Sequence, residues 1–228
     1  MNGKLYGVGV GPGDKRLLTL LAVETLNEVD KIVVPVTGGE KTALKIVKDY
    51  ITDKEILYVE MPMTKDEKVL HISHKKAAEL ICNELGKGLN LAFITLCDPT
   101  VYSTYIYIHR IVLEKGYQAE IINGVTSFCA AAARLNISLC DKSEVLHIIP
   151  SSYDNLEQSL ELRGNKVLMK NGKSILEVKE KLKQKNLIAH SKMVECCYMK
   201  NEKIYENIKD VNENSSYFSI IIVKGDQE

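Results

Sequence analysis

The sequence predicts two α/β domains, the first with a mostly parallel five-stranded sheet and the second with a mixed sheet. Apolar strands alternate with helical segments through the first half of the chain, as in parallel sheets covered on both faces. This rhythm changes near residues 116–124. The length of 228 residues is enough for one large domain or two small ones, and with 45% hydrophobic residues the chain can bury a core.

In the first half, apolar and β-branched runs predict strands at residues 5–9, 32–36, 56–60, 89–96 and 119–122. Asp14 is expected to cap a helix that reaches Val29. Further helices are predicted at residues 42–50, 69–85 and 102–115. Glycines follow the last two of these helices and are expected to end them.

In the second half, helices are predicted at residues 125–135, 156–163 and 174–184, and strands at 145–149, 166–169, 187–190 and 217–223. No helix is predicted between the last two strands, which indicates a mixed or antiparallel sheet. The adjacent Cys196 and Cys197 are expected to belong to this sheet. The predicted domains are residues 1–118 and 119–228.

Charge and hydropathy argue against two classes of partner. The 30 basic and 30 acidic side chains balance, whereas nucleic-acid binding usually needs a basic excess. No apolar run approaches the ~20 residues that span a bilayer, and no signal core precedes the first strand. We therefore expect a cytoplasmic protein with neither a nucleic-acid nor a membrane partner. The six cysteines form no C-x-x-C pair, so reduced, mostly buried thiols are expected.

Two strands of the first half end in turns of small residues, at 7–14 and 96–103, where ligands of open α/β sheets bind. The first turn fails the dinucleotide pattern G-x-G-x-x-G, because Pro12 and Asp14 stand where a last glycine is required. Residues 172–174 end like a phosphate-binding P-loop, but Val167 occupies the position of its first glycine. Nicotinamide, flavin and P-loop chemistries are therefore disfavoured.

A metal site is also not expected. His71 and His74 share a helix face, but no third ligand accompanies them.

Three ordered motifs carry a resemblance to a known family: GVGVGPGD at residues 7–14, CDPTVYST at 97–104 and NGVTSFCAAA at 123–132. Together they closely resemble the tetrapyrrole (corrin/porphyrin) methyltransferases over essentially the whole chain. Within that family, the second and third motifs most resemble the C20-methyltransferases of cobalamin synthesis, which act on precorrin-2 or its cobalt-loaded form.

The resemblance implies S-adenosylmethionine as methyl donor, a cofactor cleft between the two domains, a tetrapyrrole substrate and a homodimer. The implied cofactor-binding residues are Val10, Asp98, Val101, Thr126, Ser127, Met169, Phe218 and Ser219. The implied substrate-facing loop comprises Gly9, Gly11, Pro12, Gly13 and Asp14, with Tyr102 as a further candidate to line the site. Because alignment of the reacting atoms suffices for methyl transfer, no catalytic triad is expected, and none is found.

The chain departs from the family pattern at two positions, with Cys97 in place of glycine and Asn123 in place of proline. Asn tolerates turn geometries. If the family turn needs a positive φ at residue 97, the cysteine would carry about 1–2 kcal/mol of strain.

Cations that could bind substrate carboxylates are Lys15, Arg16, Arg110, Arg134 and Lys170, although a solvated surface role is expected for each. Three functional alternatives remain open. They are a sister enzyme that methylates another ring carbon, a family member that methylates protein or ribosomal RNA, and a non-catalytic adenosine- or tetrapyrrole-binding module. Zero net charge disfavours RNA as the substrate.

Overall fold

The computed structural model describes residues 1–38, 41–151, 155–213 and 215–225, but not the side chain of Lys173. The chain divides into two compact units, Met1–Thr126 and Ser127–Glu228.

The first unit is built on a parallel five-stranded sheet of β1 (Lys4–Gly9), β2 (Lys31–Val36), β3 (Glu55–Glu60), β4 (Leu91–Thr95) and β5 (Gln118–Ile122). The strand order is β3-β2-β4-β1-β5, and all of the pairs are parallel. Strand β5 pairs with β1, so residues 118–122 belong to the first sheet although the sequence analysis drew the domain boundary after residue 118.

Four helices cover this sheet: α1 (Leu20–Glu28), α2 (Thr42–Val47), α3 (Glu67–Gly86) and α4 (Tyr105–Glu114). Successive residues of β4 point to opposite faces. Leu91 and Phe93 pack with α3 and α4, whereas Ala92 and Ile94 pack with α1 and α2. Both faces of the sheet are therefore buried, as expected for a parallel sheet.

The first helical segment was predicted imperfectly. Asp14 caps only a short 3-10 turn, Lys15–Leu17, by accepting a hydrogen bond from the backbone N–H of Arg16. Helix α1 begins later, and its N-cap is Thr19, whose side chain accepts from the N–H of Ala22. Two caps thus divide what was predicted as one helix.

Helix α4 begins at Tyr105 rather than at the predicted Tyr102. Tyr102 has φ 50°, a left-handed conformation that cannot continue a right-handed helix. Tyr105 is fully buried, and a Cβ on Gly7 would lie 2.0 Å from its ring. Gly7 therefore allows the Tyr105 ring to approach β1.

The second unit contains α5 (Ser127–Arg134), β6 (Leu146–Pro150), α6 (Leu156–Leu160), β7 (Asn165–Met169), α7 (Ile175–Gln184), β8 (Ser191–Glu195), β9 (Lys203–Tyr205) and β10 (Ser219–Val223). The strand order is β6-β7-β10-β8-β9, with β6 and β7 parallel and the other pairs antiparallel. The predicted fold class, a parallel sheet followed by a mixed one, is confirmed.

The predicted strand at residues 187–190 is wrong. Residues Ile188–His190 form a 3-10 turn, and the strand begins at Ser191. The reason is the end of α7, where Asn186 adopts φ 58° and the N–H of Leu187 donates to the Leu182 carbonyl. This C-terminal cap holds the chain in turns for several residues before it can extend.

Other boundaries shift by a few residues. Helix α5 begins at Ser127 rather than residue 125, and α6 ends at Leu160 rather than residue 163. The short strand β9 was not predicted. Cys196 and Cys197 lie just beyond β8 rather than within it, although the Cys196 N–H donates to the Phe218 carbonyl.

Candidate functional site

Three loops meet at the carboxyl ends of the neighbouring strands β4, β1 and β5. They comprise residues 10–14, 96–104 and 123–126, and we call them the three-loop junction. In open α/β sheets this edge is where ligands bind. The first and third motifs of the sequence meet the second one here.

Backbone hydrogen bonds join the first two loops. The Val10 N–H donates to the Thr95 carbonyl over 3.0 Å, and Gly11 and Cys97 exchange bonds of 3.2 and 2.8 Å. This pairing holds Gly11 at φ 72° and Cys97 at φ 61°. The expected positive φ at Cys97 is therefore present, with the strain that a non-glycine residue carries there.

The third loop approaches the other two so closely that no side chain fits between them. A Cβ atom on Gly9 would lie 2.6 Å from both the Cys97 carbonyl oxygen and the Gly124 nitrogen. A Cβ atom on Gly124 would lie 2.2 Å from that same carbonyl oxygen. These glycines therefore allow backbone-to-backbone contact.

Asp98 joins the second and third loops through its side chain. Its Oδ1 accepts from the N–H of Thr100 over 2.8 Å and from the Thr100 hydroxyl. Its Oδ2 accepts from the Gly124 N–H over 2.9 Å and from the Asn123 amide over 3.2 Å. Asp98 is 3% exposed. Burial alone would raise the pKa of its carboxyl, but these hydrogen bonds outweigh burial and hold the pKa below its usual value.

The remaining predicted residues of the first unit have distinct environments. Val10 is fully buried, Val101 is half-buried with its N–H directed at the Asp98 carbonyl, and Tyr102 is 44% exposed. Thr126 is unusual because its hydroxyl is buried and has no hydrogen-bond partner. Buried polar atoms are nearly always paired, so the Thr126 hydroxyl is suited to a bound ligand. Ser127 is the first residue of α5.

The predicted substrate-facing loop is partly enclosed. Gly9, Gly11 and Pro12 are buried, and Gly13 is half-buried. The Asp14 carboxylate is bound to the Arg16 guanidinium through contacts of 2.6–3.1 Å. These bonds hold the pKa of Asp14 below its ordinary value.

In the second unit, Met169 ends β7 and pairs with Ile220, so it lies beside the start of β10. Ser219 opens that strand and is buried, whereas the preceding Phe218 is 42% exposed. The strand pairing therefore places Met169 beside the start of β10.

A buried polar network, which the sequence analysis missed, supports this part of the second unit. Asn171 is fully buried, and its side-chain amide donates to the Ser219 carbonyl over 3.1 Å. The Ser151 hydroxyl donates to the Asn171 side-chain oxygen and lies 3.0 Å from the Met169 carbonyl. The available signal was an asparagine two residues after a buried strand, a position where its side chain can satisfy backbone groups.

Three of the candidate carboxylate-binding cations lie in ion pairs with acidic side chains. Lys15 pairs with Asp49 at 2.7 Å, Arg16 with Asp14 at 2.6 Å and Arg134 with Glu202 at 2.7 Å. Arg110 is exposed. Lys170 is half-buried after β7 at φ 59°, and burial lowers its pKa.

The two histidines of α3 do not form a pair. His71 is exposed, whereas His74 is buried and stacks on Tyr107 with ring centroids 4.9 Å apart. Across the described ranges, no group of three His, Cys, Asp or Glu side chains could hold a metal ion. None of the helices in the described part of the chain is long and apolar enough to cross a membrane.

Comparisons with known proteins agree with the three motifs. The family model of tetrapyrrole (corrin/porphyrin) methylases matches residues 4–211. The chain belongs to this family, so the family prediction is confirmed.

Two relatives show which members of the family this chain is similar to. The "Probable cobalt-precorrin-2 C(20)-methyltransferase" of Methanocaldococcus jannaschii is 37% identical over 225 residues, which cover 97% of this chain and 96% of the relative. The "Cobalt-precorrin-2 C(20)-methyltransferase" of Salmonella typhimurium is 32% identical over 231 residues, which cover 98% and 97%.

Solved structures share the fold. Uroporphyrin-III C-methyltransferase from Thermus thermophilus, complexed with S-adenosylhomocysteine, superposes with a TM-score of 0.71 at 19% identity. The match covers 97% of each chain.

Proposed function

We propose that this protein transfers a methyl group from S-adenosylmethionine to meso carbon C20 of cobalt-loaded precorrin-2 in cobalamin biosynthesis. The observation that carries the proposal is the likeness to the two relatives named for this reaction, at 37% and 32% identity over nearly the whole length. Both names specify the cobalt-loaded substrate, which favours this substrate over metal-free precorrin-2.

The residues of the first unit fit the methionine end of the cofactor. Backbone groups near Val10, Asp98 and Val101 would meet its amine and carboxylate, because ligands of open α/β sheets bind at the carboxyl ends of strands. The unpaired buried hydroxyl of Thr126 would supply one hydrogen bond, with Ser127 beside it. The bound cofactor supplies an electrophilic methyl group on a sulfonium that leaves readily.

In the second unit, we propose that Met169, Phe218 and Ser219 hold the adenine. Ser219 and Met169 are fixed by the Asn171 and Ser151 hydrogen bonds, so their backbone groups are pre-positioned. Pre-positioned groups bind a ligand without loss of conformational freedom at the moment of binding.

The protein's contribution to catalysis would be alignment rather than acid–base chemistry. The glycine loop of residues 9–14 would face the macrocycle, where its glycines carry no side chain that could hinder the approach of a flat substrate. Alignment of carbon, methyl and sulfur can contribute about 7–11 kcal/mol to the lowering of the barrier. No general base is required before the methyl group moves, which agrees with the involvement of Asp98 and Asp14 in hydrogen bonds within the protein.

An anaerobic assay with S-adenosylmethionine and either metal-free or cobalt-loaded precorrin-2 tests the proposal. We expect a gain of one methyl group by mass spectrometry, with the higher kcat/KM for the cobalt-loaded substrate. Higher kcat/KM for metal-free precorrin-2 would reverse the choice of substrate. Cofactor binding without transfer to either substrate would favour the binding-module alternative.

We also propose a cytoplasmic homodimer, on the strength of the family resemblance. Sedimentation equilibrium should give twice the chain mass of 25.6 kDa. A single-chain mass at micromolar concentration would contradict the dimer.

A further inference from the structure

The Asp98 carboxylate has the features of a group that sets the geometry of a binding site rather than one that binds a ligand. Each of its two oxygens accepts two hydrogen bonds from the protein, and the residue is 3% exposed. A carboxylate offers about four acceptor sites, so those of Asp98 are filled from within the first unit. Direct contact between this carboxylate and a ligand amine would require one of these bonds to break.

Two of these bonds join the second loop to the third loop, which also touches the other two loops through backbone at Gly9 and Gly124. Backbone pairing holds the loop of Gly11 against that of Cys97. The Gly124 N–H and the Asn123 amide of the third loop both donate to Asp98, and the Asn123 carbonyl accepts from the Thr19 hydroxyl over 3.2 Å. The position of residues 123–126 therefore depends in part on the Asp98 side chain.

The position of this loop matters for function because the loop carries Thr126. It lies two residues beyond Gly124, and its hydroxyl is buried without a partner. A hydroxyl that is reserved for a ligand must be held at one place, because an error of about 1 Å can cost a large factor in a preorganised site.

We propose that Asp98 is a positioning residue, whose carboxylate fixes the loop of residues 123–126 so that the Thr126 hydroxyl and nearby backbone groups meet the methionine end of S-adenosylmethionine. The inference rests on the proposed function. It assigns Asp98 a role through its side chain in addition to the backbone contact that the family resemblance implies.

The test is calorimetric titration of the intact protein and its variants with S-adenosylhomocysteine, alongside thermal unfolding. In Asp98→Asn, an NH2 group replaces one oxygen and faces a backbone N–H in either orientation, so Thr100 or Gly124 loses its acceptor. We expect binding to weaken about tenfold or more.

Glu144→Gln is the matched control. Glu144 also joins separate segments, accepting from the Asp141 N–H and the Asn165 amide over 2.8 and 2.7 Å at the start of β7, whereas Met169 ends that strand. Because these bonds end on Oε2, the glutamine oxygen can keep them, so this variant should lower Tm only slightly and leave affinity for S-adenosylhomocysteine within about twofold.

A second set of variants tests the proposal even if Asp98→Asn fails to fold. Thr100→Val and Asn123→Ala each remove one donor and leave the carboxylate paired, so each should weaken binding by about threefold or less, and together by more than either alone.

The outcomes separate the two proposals. Unchanged affinity in Asp98→Asn, or in the Thr100→Val, Asn123→Ala double variant, would overturn the positioning role while wild-type binding upheld the proposed cofactor. No binding of S-adenosylhomocysteine by the wild-type protein would overturn both.

Discussion

A Cβ atom on Gly124 would lie 2.7 Å from the carbonyl carbon of Gly9, so the ends of β1 and β5 touch through backbone alone. Real Cβ atoms do not approach backbone this closely, and a backbone neighbour cannot move aside as a flexible side chain can. Gly9 of the first motif and Gly124 of the third motif are thus explained by one contact within the first unit.

Gly124→Ala should therefore separate the loops of the three-loop junction. We expect a loss of about 1–3 kcal/mol of unfolding free energy, as for other overpacked sites, and binding of S-adenosylhomocysteine at least tenfold weaker. Denaturant unfolding and calorimetry measure the two effects.

Gly116→Ala provides the control for this substitution. Gly116 has φ 82°, but a Cβ there would meet nothing within 4 Å. The variant should lose about 1–2 kcal/mol through backbone strain alone and bind the ligand normally. Equal effects of the two substitutions on ligand affinity would show that the Gly9–Gly124 contact does not shape the site.

Substitutions of Cys97 test whether its backbone conformation in the three-loop junction is strained. A β-branched side chain is far less tolerant of φ near 61° than cysteine is, so Cys97→Val should destabilise the protein by about 2 kcal/mol or more. Cys97→Gly removes the strain but increases the freedom of the unfolded chain, so its stability should stay within about 1 kcal/mol of wild type. Urea unfolding of both variants would contradict this account if valine were tolerated as well as glycine.

Substitution of Asn171 tests how much the buried polar network contributes to the stability of the second unit. Asn171→Ala removes the amide donor from the buried Ser219 carbonyl and leaves the Ser151 hydroxyl with the Met169 carbonyl as its acceptor, which should cost about 1–3 kcal/mol. Ligand affinity should also fall, because Met169 and Ser219 lose their support. The comparison is Asn83→Ala on the exposed face of α3, where the change in stability should lie within about 0.5 kcal/mol.

The titration of His74 is expected to lower the stability of the folded protein in mild acid. Burial, with a smaller contribution from the charge on His71, lowers the pKa of His74 in the folded state. The unfolded chain then takes up a proton near pH 6.5 that the folded state resists, so stability present above that pH is lost below it. His74→Phe keeps a ring against Tyr107 without this titration, and its stability relative to wild type should rise between pH 7.5 and 5. A pH-independent difference in urea unfolding between the two proteins would contradict the prediction.

The sequence was sufficient to predict the fold class because both sheets rest on periodic apolar patterns. The ends of β1, β4 and β5 were also predictable as a site, since glycines and Asp-Pro directly follow apolar strands. Local conformations were harder to predict. The apolar pair Leu187 and Ile188 resembles a strand, but the cap at the end of α7 holds these residues in turns.

The details of the site depend on contacts between residues distant in the sequence. Asp98 and Gly124 are 26 residues apart, and no local pattern reveals that the carboxylate accepts from that N–H. The helical spacing after Tyr102 likewise gives no sign of its φ of 50°. Pairing within the folded unit decides the first of these features.

The most direct test of the account is the position of the transferred methyl group. Anaerobic turnover of cobalt-loaded precorrin-2 with S-adenosylmethionine carrying a 13C-labelled methyl group, followed by NMR of the isolated product, locates the new carbon. The account predicts one labelled methyl group on meso carbon C20 and release of S-adenosylhomocysteine. A labelled methyl group on any other ring carbon would contradict it and identify a sister activity of the same family.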